Sequence, residues 1–162
     1  MKLTATRERY PDGTPVQNLE ERIAFIEKHG LNSENILRLN PALNSIERMT
    51  ENIEFISNLG LSNKVFERFP QLFNLSIENN LEPKVEYIND LGLSNKVFER
   101  VPRLFSYSMK NRIWPRSELL REAGFDAGEE LMKHISLPNH RFEAKYGILE
   151  REIFEKAAEY QS

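Results

Sequence analysis

Arg103, Lys110, Arg112 and Arg116 fall in a stretch with no acidic residue between the first and the last, and Tyr107 and Trp114 stand among them. Phosphate groups need guanidinium or ammonium partners, and an arginine fork satisfies two oxygens at once. Aromatic rings interleaved with such charges can stack on unpaired bases. The six residues therefore read as a patch for a nucleic-acid backbone and its bases. Arg68 and Arg100, which end two identical segments, could line one edge of the same surface. A plainer reading stands beside this one. Arginines on helices are commonly a solvated face, Tyr107 and Trp114 could pack between helices, and Arg68 and Arg100 could simply favour helix C-termini. If phosphate contacts dominate, replacing Arg103, Arg112 and Arg116 together by Ala is expected to abolish binding and leave the chain folded.

The charge distribution points to the same region. Residues 1–99 hold eleven Lys or Arg against fifteen Asp or Glu, whereas residues 100–147 hold nine against six. The formal net charge of the whole chain is −3, so any basic surface is local.

Catalytic chemistry finds no comparable cluster. His134 and His140 are six residues apart, off the four-residue step that places two histidines on one helical turn, and there is no Cys to supply thiolate ligands. His29, directly before Gly30, suits the last turn of a helix. The adjacent Glu129 and Glu130 diverge by about 100° on a helix and read as a helix start. The glycines form neither a dinucleotide nor a phosphate loop. The chain reads as a non-enzyme with neither metal nor cofactor.

The elements that must position these residues follow from a repeat. The ten residues Leu59 to Arg68 recur identically at Leu91 to Arg100, at an offset of 32. The match continues from Phe69-Pro70-Gln71-Leu72-Phe73 to Val101-Pro102-Arg103-Leu104-Phe105. Gly30, Gly60, Gly92 and Gly124 mark four units, the last irregular as terminal repeats often are. Each unit predicts two helices. Leu81, Val85, Ile88 and Leu91 make an apolar helical stripe, and Pro83 and Pro115 fit a first helical turn. Glycine ends the first helix in a left-handed turn, and Ser94 is placed to cap a second helix through Val97 that stops at Pro102.

Helices this short are marginal alone, so stacked neighbours must bury their stripes. The expected fold is a short all-α solenoid of about four repeats over residues 18–146. Residues 1–17 read as an irregular arm. Residues 147–162 read as a capping helix, with Ile148, Leu149, Ile153, Phe154 and Ala157 at helical spacing.

At 162 residues, with 40% hydrophobic and 29% charged content, the chain is sized and composed for one globular domain. No apolar run approaches the roughly 20 residues that cross a bilayer, and membranes are not expected among its partners. The first fifteen residues show neither a secretory nor an organellar leader; either none is needed or it has been removed.

The run Leu72 to Arg103, with Pro-x-Leu-Phe, Leu-Ser-Ile-Glu-Asn-Asn-Leu-Glu-Pro-Lys-Val-Glu-Tyr and Leu-Gly-Leu-Ser, resembles the repeat of the mitochondrial transcription termination factor (mTERF) family. Leu104 to Arg116 is similar to the penultimate repeat of its plant and algal members. The resemblance implies a left-handed superhelix of units with two α-helices and a 3-10 turn, a location in mitochondria or plastids, and binding of duplex DNA or structured RNA along a basic groove. Two functions stay open: an organellar nucleic-acid-binding protein, RNA before duplex DNA given the small size, and a scaffold that docks on protein in an assembly such as an organellar ribosome. Clustered arginines favour the first; net acidity and few repeats favour the second.

Overall fold

The computed structural model describes residues 19–126 and 128–161, and the expected arm over 1–17 lies outside them. Every regular element among the described residues is helical. The chain divides into two compact units, Met1–Ile77 and Glu78–Ser162.

In the first unit, α1 (Leu19–Lys28), α2 (Ser33–Leu39), α3 (Ile46–Asn58), α4 (Val65–Arg68) and a 3-10 turn (Pro70–Asn74) follow one another. The side chains of Asn32 and Ser45 cap α2 and α3, satisfying backbone donors that have no partner within the helix. Ile26, Ile36, Ile56, Phe66 and Phe73 are fully buried. The Phe66 and Phe73 rings stack with centroids 4.1 Å apart.

A π-helical turn (Ile77–Leu81), whose first residue is the last of the first unit, runs into α5 (Glu82–Asp90) of the second, followed by α6 (Lys96–Arg100) and a 3-10 turn (Pro102–Ser106). A second π turn (Met109–Ile113) runs into α7 (Trp114–Glu122), and α8 (Glu129–Ile135), α9 (Asn139–Tyr146) and α10 (Glu150–Ala157) complete it. Phe98 and Phe105 stack at 4.1 Å, reproducing the Phe66–Phe73 pair one repeat later. Each such pair adds about 0.5–1.5 kcal/mol beyond area burial.

All four marker glycines end a helix in the same way. Gly30, Gly60, Gly92 and Gly124 have φ between 71° and 92°. Each donates to the carbonyl three residues back, while the following residue donates five back, as in Leu61 N to Ile56 O at 3.2 Å. A side chain at such a φ would press Cβ on the following carbonyl, and glycine has none.

The structure departs from the expected elements at three places. Pro83 and Pro115 are the second residues of α5 and α7, but the helical run begins earlier, in the π turns. A proline ring collides with the carbonyl four residues back, here Asn79 and Asn111, and a wider turn separates the two. In the fourth unit, α9 stands after Pro138 where the second and third units carry a 3-10 turn. The stripe expected on 147–162 also divides. Ile148, Ile153 and Ala157 are buried, whereas Leu149 is 42% and Phe154 77% exposed, because residue 154 lies about 100° round the helix from 153.

In the first unit, the duplicated segment joins one repeat to the next. Asn63 Nδ2 donates to His29 O at 2.9 Å and Lys64 Nζ to Gly30 O at 2.7 Å, covering carbonyls at the end of α1. Glu67 Oε1 accepts from Asn32 N at 2.8 Å, at the start of α2. Every one of these groups is a helix-end donor or acceptor that lacks an intrahelical partner.

Candidate nucleic-acid interface

The residues singled out in the sequence separate by burial. Arg68, Arg100, Arg103 and Lys110 are exposed; Tyr107, Arg112 and Trp114 are half-buried; Arg116 is buried. Arg68 ends α4 in the first unit, and Arg100 ends α6 in the second. Arg103 and Lys110 lie on the 3-10 turn and the π turn that follow α6. Their side chains make no hydrogen bond or ion pair with another described residue.

Arg112 and Arg116 are turned inward. Arg112 donates to Ile135 O and Ser136 O, both at 3.1 Å, and to Leu137 O at 2.7 Å. Arg116 donates to Ile135 O at 2.7 Å and Leu137 O at 2.6 Å, and also reaches Asn139 Oδ1. Its guanidinium lies 4.5 Å from the centre of the Phe142 ring. The backbone acceptors are the carbonyl of Ile135, the last residue of α8, and those of Ser136 and Leu137 just past it, where the helix dipole favours a cation. Burial, with the neighbouring Arg112 cation, draws the Arg116 pKa down to about 10. Arg116 is 1% exposed and has no face left for a phosphate. The triple alanine variant expected to stay folded would remove two of the residues that hold the end of α8.

Arg116 belongs to a series the sequence reading did not single out. Asn52, Lys84 and Arg116 each stand eight residues before their glycine, and each is 4% exposed or less. Asn52 Nδ2 donates to Leu72 O, Phe73 O and Leu75 O at 2.8–3.2 Å. Lys84 Nζ donates to Phe105 O and Asn80 Oδ1, and burial lowers its pKa to about 8. Arg22 holds the same register before Gly30 and is half-buried. The visible signal was a donor side chain interrupting an apolar stripe at constant distance from each glycine.

Tyr107, Lys110 and Trp114 do come together. In the second unit they line one open cleft of about 730 Å³ with Tyr87, Tyr160 and the buried Lys84. Trp114 is tilted against Tyr160 with centroids 5.6 Å apart. Arg112 covers one face of Tyr107 at 4.2 Å. Tyr87 donates its hydroxyl to Glu118 at 3.1 Å, and burial raises its pKa. Glu86 and Asp90 also line the cleft.

The sequence pattern that defines the mTERF family matches residues 9–143. The chain belongs to the mTERF family. Its members are helical-repeat binding proteins, generally not enzymes, and the family is associated with nucleic acid and gene expression in organelles. No curated protein and no solved structure matches the chain. No three His, Asp or Glu side chains among the described residues converge as a metal site, and no described helix is long and apolar enough to cross a membrane.

Proposed function

We propose that this mTERF protein binds nucleic acid in a mitochondrion or plastid, RNA in preference to duplex DNA, and so supports organellar gene expression. The observation that carries this reading is the cleft in which Tyr107, Trp114 and Tyr160 stand with Lys110. Aromatic platforms beside a cation serve bases that are free to leave a stack, which single strands and loops of RNA offer. Arg103, exposed on the turn that leads to Tyr107, supplies a second phosphate contact. The left-handed superhelix of about four units that the family implies belongs to the same proposal.

A mobility-shift titration with bulk organellar RNA at several salt concentrations tests it. Binding should weaken as salt rises, and Arg103→Ala with Lys110→Ala should reduce the log–log salt slope by about 0.7 per lost contact to a single strand. Both residues are exposed, so the variant should unfold with the wild type. Equal RNA affinity in the two proteins would sink the assignment of these cations.

A second reading has its own observation. Phe154, 77% exposed on α10, is a large apolar side chain of the kind that marks protein contacts when it is part of a patch. On this reading the chain is a scaffold in an assembly such as an organellar ribosome. Co-purification with that assembly after nuclease treatment, lost on Phe154→Ser, would favour it.

A further inference from the structure

The cleft has chemically unlike sides. From α5 come Tyr87, the carboxylates Glu86 and Asp90, and Lys84, which is 4% exposed and donates to Phe105 O and Asn80 Oδ1. Glu86 and Asp90 are four residues apart and so share a helix face, and both are exposed. The segment from Ser106 to Trp114 contributes Tyr107, Lys110 and Trp114. A phosphate is repelled by Glu86 and Asp90 and attracted by Lys110. A base that stacks on the rings meets carboxylates, which at neutral pH only accept hydrogen bonds.

Resting on the nucleic-acid reading above, we propose that this cleft selects an unpaired guanine. Guanine alone among the four RNA bases sets two donors, N1–H and the N2 amino group, side by side on its pairing edge. The two oxygens of one carboxylate accept both in parallel, the bidentate geometry that also makes arginine–carboxylate pairs strong. Adenine and cytosine place a ring-nitrogen acceptor beside their amino group, and uracil flanks its N–H with two carbonyls. Each of these turns a lone pair toward Glu86 or Asp90. Stacking on Tyr107 and Trp114 is indifferent to base type, so discrimination falls to the α5 carboxylates while Lys110 holds the phosphate.

Trp114 is the single tryptophan of the chain and lines the cleft, so its fluorescence reports occupancy there. The test titrates the full chain with 5′-labelled pentanucleotides of uridine carrying G, A, C or U at the centre, following label anisotropy for binding and Trp114 emission for site. The expected result is quenching by all four and an affinity for the G-centred strand at least about fivefold above the others, the low end for a bidentate base contact. Glu86→Gln with Asp90→Asn should erase that preference and keep the quenching. Equal affinities for the four strands, or a preference that survives the double variant, would overturn guanine selection and leave RNA binding standing. Binding by anisotropy without quenching would remove the site from the cleft. No binding of any strand would overturn the functional reading itself.

Discussion

Lys84 and Arg116 stand 32 residues apart and do the same thing: each sends a buried cation into backbone carbonyls of its own unit, Phe105 O for Lys84, and Ile135 O and Leu137 O for Arg116. Asn52 does so without charge. The repeat thus conserves a donor at one position while changing its chemistry from amide to ammonium to guanidinium. A carbonyl at the end of a turn needs a hydrogen, and any long donor can bring it.

Arg116→Ala should destabilise the protein by about 3 kcal/mol, combining unpaired buried carbonyls with lost packing of the arginine stem on Phe142. Arg116→Lys, patterned on Lys84, should recover part of that loss. Urea unfolding at neutral pH measures both. Equal losses in the two variants would mean that the forked geometry, and not donation as such, is what the site requires.

Lys84 makes stability depend on alkaline pH. Its pKa is about 8 in the folded chain against 10.5 for an ordinary lysine. Between those values the unfolded chain binds the proton that the folded chain has released, so stability from this group rises with pH. Below about pH 8 both states are protonated and the cost of burying the charge is fully present. Urea midpoints should therefore climb for the wild type relative to Lys84→Met from pH 8 to 10. Parallel profiles would contradict a depressed lysine.

Asn52 donates to three carbonyls, so Asn52→Asp, nearly the same shape, should cost more than Asn52→Ala. The carboxylate sets lone pairs against lone pairs, beyond the roughly 1–3 kcal/mol of leaving buried acceptors unpaired. The Asp variant should recover toward the Ala variant as pH falls and its carboxyl gains a proton to donate. Thermal unfolding at pH 7 and pH 4 separates the two contributions.

Gly60 has φ +77° and open space where a Cβ would stand, so Gly60→Ala should cost only backbone strain, about 1–2 kcal/mol. Gly60→Asn should cost less, since asparagine tolerates this region. A loss well beyond that range in calorimetry would reveal a steric conflict that the structure does not contain.

Much of the fold was legible because it is written locally. Glycine allows the left-handed turn, proline stops α4 and α6 in the residue before it, and the identical ten-residue run builds nearly the same local structure twice, α6 starting one position earlier in register than α4. The phosphate patch was legible only as composition. Arg103, Lys110, Arg112 and Arg116 carry the same formal charge within one acid-free run, and nothing in residue type distinguishes a guanidinium facing water from one facing a helix end.

What the sequence by itself determined is the helical repeat, its period and its family, since these rest on backbone conformations set by neighbours in the chain. Tertiary structure alone decided that Arg112 and Arg116 turn inward, that Phe154 turns outward, and that Tyr107 and Trp114 share a cleft with Tyr160. The physical reason is that a side chain's partner is chosen by which unsatisfied carbonyls or rings lie within reach. Here those are supplied by α8, α10 and the C-terminal residues, some 20 to 50 positions further along the chain.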